Sequence, residues 1–388
     1  MQAGGVQRTT NYKIVVPFYA YASISFLIGT VLLFFQIEDL AGHYFNPHTL
    51  ATVHTMALGW GTMVILGASH QLLPVLIESK LDSDLLGYLT FGFAAVGIPI
   101  LIYGFYTFQL GWLTQLGGTF VNIAIGLYVI NVISSAMYGS RLNVHAWFII
   151  IASLWLFLTT FFGLLLVFNF TQSVLPQNSV HYLSLHAHMG LVGWFLMLVM
   201  GVGSRLVPMF LISKYNNEKI LWWIFGSVNL SLVIFVGLQL FQLASNLYIL
   251  PIVLGLIGVL LFGLYCYKSY QVRIRKAVDN QMKTTLLSVA QMILPIIIML
   301  YAIIMMPEGT SSKVATLYGF CIFFGWLTAI IIGMTFKTLP FIIWNVAYHK
   351  KGHKGKTPAP KDLFKEGVYL GMLVSYLLGF VIFALGFI

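Results

Sequence analysis

The chain has 388 residues, of which 59% are hydrophobic and only 8% charged, with a formal net charge of +10. That balance excludes a soluble globular domain and matches an integral membrane protein, and the excess of positive charge needs no nucleic acid to explain it. Two cysteines, Cys266 and Cys321, lie far apart in or near apolar runs and offer neither a disulfide framework nor a metal pair.

In chain order, the apolar runs define about eleven transmembrane spans, at roughly 13–36, 50–76, 86–108, 113–138, 146–168, 183–211, 220–241, 247–268, 284–306, 314–346 and 367–388. Helix is the expected state, because an open sheet cannot satisfy its backbone in lipid and barrel alternation is absent. Span one is longer than a signal-peptide core and has no small-residue cleavage site, so it is expected to remain in the membrane. Placing the N-terminus in the cytoplasm puts 19 of the 20 basic residues on that side, with only Lys313 outside. The positive-inside rule therefore predicts N-in, C-out. The run from Lys350-Lys351 to Lys365 is read as a topology signal and a contact for anionic lipid. The ten acidic residues all fall in loops or at span ends, so no carboxylate relay crosses the membrane.

Span two introduces a phrase that recurs. Gly59-Trp60, Gly67 and Leu73-Pro74 are matched by Gly193-Trp194, Gly201 and Val207-Pro208 in span six, and by Gly325-Trp326, Gly333 and Leu339-Pro340 in span ten. The Trp-to-Trp intervals are 134 and 132 residues, so a single membrane domain, 1–388, is read as three four-helix repeats at about 13–138, 146–268 and 284–388, the last truncated. A pseudo-threefold all-α arrangement is expected. Glycines eight residues apart lie about 80° apart around a helix and present a smooth face for packing. Arg205 and Lys337, three residues before the Pro, are read as snorkelling to headgroups.

Histidine separates chemistry from scaffold. Six residues before the Trp stand His54 and His188, whereas the third copy has Phe320. Equivalent positions imply equal depth, so His54 and His188 are expected to face one another as two ligands of one iron. His186, two residues from His188 and about 200° around the helix, is expected to point into a second compartment. Taken singly, each intramembrane histidine is as readily an interhelical hydrogen-bonding group. His70 lies about 24 Å along the helix from His54 and cannot share its iron. His43, His48 and His181 are read as interfacial, with an outer copper or propionate cluster as the alternative; His145, His349 and His353 are expected to be solvated.

The stretch Leu185-His186-Ala187-His188-Met189-Gly190-Leu191-Val192-Gly193-Trp194 resembles the His-x-His helix of haem–copper oxidase catalytic subunits (subunit I), the cbb-type above all. Val53-His54-Thr55 resembles the second helix of those subunits. A second resemblance is to NnrS-type membrane proteins, associated with haem, copper and nitric oxide tolerance. The resemblance implies a b-type haem, one or two per chain, with His54 and His188 as axial ligands and His186 facing a second haem or copper. It further implies an electron-donor protein or a quinol as partner, other membrane subunits, residence in a bacterial plasma membrane, and electron transfer or nitric oxide or oxygen chemistry. Departures from the family are equally plain: His-x-His is in span six and not span ten, and span seven contains no His, so a complete copper ligand set is missing. A haem- or copper-binding, tolerance or assembly protein without turnover is the alternative function. A transporter is the weaker one.

Overall fold

The computed structural model describes residues 10–78, 80–138, 142–306, 312–349 and 357–386. Arg8, Arg141, Glu308, His353 and the basic residues from Lys350 to Lys356 lie outside the described residues. Among the described residues the chain is helical, with no strand beyond one isolated bridge between Ser213 and Arg273. Eleven helices among these residues are long and apolar enough to cross a bilayer. They are α1 (Tyr12–Phe35), α2 (Pro47–Leu76), α3 (Asp84–Tyr106), α4 (Trp112–Met137), α5 (Val144–Gln172), α6 (Ser179–Leu211), α7 (Glu218–Leu240), α8 (Ser245–Gln271), α9 (Asn280–Met305), α10 (Ser312–Tyr348) and α11 (Glu366–Leu385). The chain is thus an all-α integral membrane protein, in which each helix satisfies its own backbone where water is absent.

Helix starts are set by short polar side chains. Asn46, Ser83, Asn143, Asn178 and Asn217 each accept a hydrogen bond from a backbone N–H of the first turn that follows. Asn46 with Pro47 also explains why α2 begins earlier than its apolar run, since Pro fits the first helical turn. Asp279 caps α9 through Met282 N and pairs with Arg275 at 3.2 Å and with Lys337. Lys337 is therefore held at 14% side-chain exposure by a carboxylate and does not snorkel as expected; Arg205 lies 3.8 Å from Glu78 with both side chains exposed.

The three motif helices form the interior. The apolar windows of α2, α6 and α10 are 78%, 67% and 72% buried, against 6–50% for the other eight. Lipid gives helices no hydrophobic reason to associate, so close packing of small residues and buried hydrogen bonds must hold them. The motif supplies both. Gly67 lies against Phe18 and Val15 of α1, Gly201 against Phe148 of α5, and Gly333 against Gln281 and Thr285 of α9. Each motif helix thereby rests on the helix that precedes it. Trp60 Nε1 donates to Thr328 Oγ1 at 3.1 Å and Trp194 Nε1 donates to Thr62 Oγ1 at 3.2 Å, joining α2 to α10 and α6 to α2. Both threonines follow a motif Trp by two residues; at the third such place stands Leu196, which has no hydroxyl.

All three motif helices also contain a π-helical segment at the same register: Thr55–Thr62, Met189–Leu196 and Cys321–Leu327. It begins immediately after His54, His188 and Phe320. A π-turn changes the angular relation between residues before and behind it, and such turns gather at functional sites.

Gly201→Val should lower the thermal midpoint of the purified protein, because overpacking against Phe148 costs about 1–3 kcal/mol. Gly226→Val is the control, since nothing lies within 4 Å of the position a Cβ would take there. Equal melting of the two variants would contradict the close α5–α6 contact.

Candidate functional site

His54 and His188 are built alike. Each Nδ1 lies 2.8 Å from the carbonyl four residues earlier, Leu50 O and Ser184 O respectively. A carbonyl can only accept, so Nδ1 carries the proton and Nε2 presents a lone pair away from its own helix. They do not face each other. His54 faces His186, with ring centroids 6.3 Å apart and planes inclined by 18°. The expected pairing of His54 with His188 is thus replaced by His54 with His186, and His188 takes the other compartment. The reason lies in the repeat: equal positions on successive motif helices look into successive cavities. The residue two earlier, about 200° around the helix, looks back into the preceding one.

The first cavity, with ≈ 1130 Å³ of non-atom space including its mouth, is walled by α2, α3, α4, α5 and α6, with Phe323 of α10. Its lining is apolar apart from His54, His186 and three threonines, and the Phe105 ring stands 4.6 Å from His54. Glycine at 163 makes room for His186, because a Cβ there would stand 2.6 Å from its Cε1. Nδ1 of His186 is buried with no partner of hydrogen-bonding geometry. The Thr159 backbone lies close enough to act on the ring.

The second cavity, ≈ 810 Å³ on the same measure, is walled by α6, α7, α8, α9 and α10. His188 meets Tyr318 there, Nε2 to Oη 3.2 Å, with Phe235 on its other side at 4.8 Å between centroids. Tyr318 escaped the sequence reading, yet a signal was present: it stands eight residues before Trp326, as His186 stands eight before Trp194. At the third equivalent position, Phe320 is packed shut. Phe320 stacks on Phe324, Phe380 and Phe383 at 5.3, 5.4 and 4.2 Å.

The remaining histidines have local partners. His48 pairs with Asp39 at 2.6 Å, His43 Nδ1 accepts from Phe45 N at 3.0 Å, and His181 lies edge-on to Tyr182. His70 bonds the Leu66 carbonyl at 2.7 Å and stacks on Phe18, leaving a buried Nε2 without partner. His145, expected to be solvated, is buried beside Ser204 Oγ at 2.9 Å, because the first turn of α5 packs directly on α6. The His349 side chain and all of His353 lie outside the described residues. Among the described residues no three His, Cys, Asp or Glu side chains converge as a metal site, and Cys266 and Cys321 are buried free thiols.

Fold and site together define an integral membrane protein with two internal histidine-bearing cavities that share one central helix. No family model matches the chain, and no curated protein matches it.

Proposed function

We propose that the chain is a haem-binding membrane redox protein in which His54 and His186 are the axial ligands of one b-type haem. The observation that carries this is the His54–His186 separation. Two imidazoles sharing one metal at about 2.0–2.1 Å per bond, with about 1.2 Å from nitrogen to ring centroid, have centroids about 6.4 Å apart. The 6.3 Å between these rings fits that requirement. The space kept open by Gly163 and the apolar lining suit the same group. A haem with two imidazole ligands has no open position and supplies one-electron transfer.

The protein's own residues do the rest. Leu50 O fixes the His54 ring and its tautomer, a partner of the kind that orients ligating imidazoles. Phe105 and the apolar walls keep water from the site. The likeness of the His186–Trp194 stretch to haem–copper oxidase subunits supports a redox role in a bacterial plasma membrane, with electrons delivered by a protein or a quinol. Binding without turnover, as in the NnrS-type proteins, is favoured by one observation. The His188 compartment brings a histidine to a tyrosine and gathers no further histidines for copper.

His54→Ala and His186→Ala should each abolish a low-spin b-type spectrum, while His188→Ala leaves it. The check is the visible spectrum of each purified variant with a pyridine haemochrome count. Retention of that spectrum in both of the first two variants would refute the assignment.

Gly163→Val offers a milder probe. Its side chain enters the space of the His186 ring, so haem content should fall several-fold, while a melting curve close to that of the haem-free His54→Ala protein would show the fold intact. Full haem content in that variant would mean the His186 ring is not used where the structure places it.

A further inference from the structure

The cavity between α6 and α10 has a polar end that the haem reading leaves unused. His188 Nε2 is an acceptor, because Nδ1 is committed to Ser184 O, and the Tyr318 hydroxyl donates to it across 3.2 Å. Unlike His54 and His186, these two side chains satisfy each other and leave no gap for a metal between them. The rest of the lining is nearly all apolar, and the Ser231 hydroxyl is already committed to Pro251 O at 2.6 Å.

The shape of the wall matters equally. α9 is interrupted at Met292, three residues before Pro295, where the missing N–H and the ring of Pro break the helical ladder. Met292 and Pro295 both line the cavity. Beyond them Ile296, Met299 and Ile303 form a stripe at helical spacing that lines the cavity and stays half-exposed. The cavity thus reaches the surface that faces hydrocarbon. Its ligand must enter from lipid, be apolar along most of its length, and end in an oxygen that both donates and accepts.

We propose that this cavity binds a membrane hydroquinone, its isoprenoid tail along the α9 stripe, with one ring hydroxyl donating to His188 Nε2 and accepting from Tyr318 Oη. Resting on the haem reading above, the bound hydroquinone is the electron donor to the haem of the first cavity. Leu191 is the one described residue that lines both cavities, and His186 and His188 are two residues apart on one helix. Oxidation breaks two O–H bonds and forms two C=O bonds. His188 Nε2 takes the first proton and water takes the second. A haem held by His54 and His186 would be the acceptor of the two electrons, taken one at a time, so that two equivalents of oxidised haem would balance each hydroquinone.

The test uses the full chain in detergent. Binding of a short-tailed benzohydroquinone and a short-tailed naphthohydroquinone to the dithionite-reduced protein is followed, without oxygen, by quenching of tryptophan fluorescence, since Trp326 lines the cavity, and reduction of the oxidised protein's haem by the same two compounds is followed separately. We expect saturable quenching by one of them at one per chain. Tyr318→Phe and His188→Gln should each weaken it about tenfold, the effect of one lost hydrogen bond to a ligand, with the low-spin spectrum retained. Gly255→Leu, which fills the cavity away from the polar pair, should abolish binding, and a melting curve for each variant confirms its fold. Three outcomes overturn the proposal: no saturable quenching, quenching indifferent to all three substitutions, or a second haem per chain. Should the protein carry no haem while quenching persists and responds to the substitutions, the haem reading fails and the quinone site stands without its electron acceptor.

Discussion

The centre of this molecule depends on the buried indole N–H groups of Trp60 and Trp194, each of which must find an acceptor on a neighbouring motif helix. In hydrocarbon no water can substitute, and an unpaired buried donor costs about 1–3 kcal/mol. Thr328 and Thr62 supply the acceptors, and in doing so they fix the level of α10 against α2 and of α2 against α6. The glycines behind them let α1, α5 and α9 close onto the three central helices. Register, once fixed in this way, decides which side chains meet across each cavity: the residue six before one Trp meets the residue eight before the next.

That rule yields two pairs of different chemistry on one scaffold. His54 with His186 sets two imidazoles with ring centroids 6.3 Å apart, the separation on which the proposed haem ligation rests. His188 with Tyr318 joins an acceptor to a donor and is complete as it stands. At the third equivalent place Phe320 offers no polar atom, and the rings of Phe380 and Phe383 from α11 cover it. Side chains able to bind a ligand thus stand at two of three equivalent positions, while the Gly-Trp-Gly-Pro spacing remains constant in all three.

The spans were legible in the sequence because they rest on a local signal, long apolar runs, whereas the inner place of the motif helices emerges only from their burial in the fold. Candidate site residues were legible for the same reason, as histidines where the repeat predicts scaffold. Their pairing was not. Equal position in a repeat suggests a shared cavity, whereas here it means successive cavities, and only the offset of two residues brings His186 to His54. Tyr318 does not stand out in the sequence, because tyrosine is common in membrane helices and only the repeat register singles it out. The π-turns after His54, His188 and Phe320 carry no local sequence mark, since they arise where tertiary contacts hold a helix out of its regular winding. His145 shows the opposite error: a polar residue at a span end reads as solvated until the neighbouring helix is known to cover it.

Charge placement bears on how such a site works. The described acidic residues sit at helix starts or in connections, as Asp84, Glu218 and Glu366 do in first turns, where the helix dipole favours them. No carboxylate lines either cavity. On the proposed reading, a proton released at His188 would meet no acidic relay along the walls that the structure describes, and Ser184, exposed one turn earlier on α6, would mark its way out. Electrons would have the easier route, since His186 and His188 lie on one helix and Leu191 lines both cavities. Such a scheme asks for no carboxylate in the cavity walls, which agrees with acidic side chains confined to helix starts and connections.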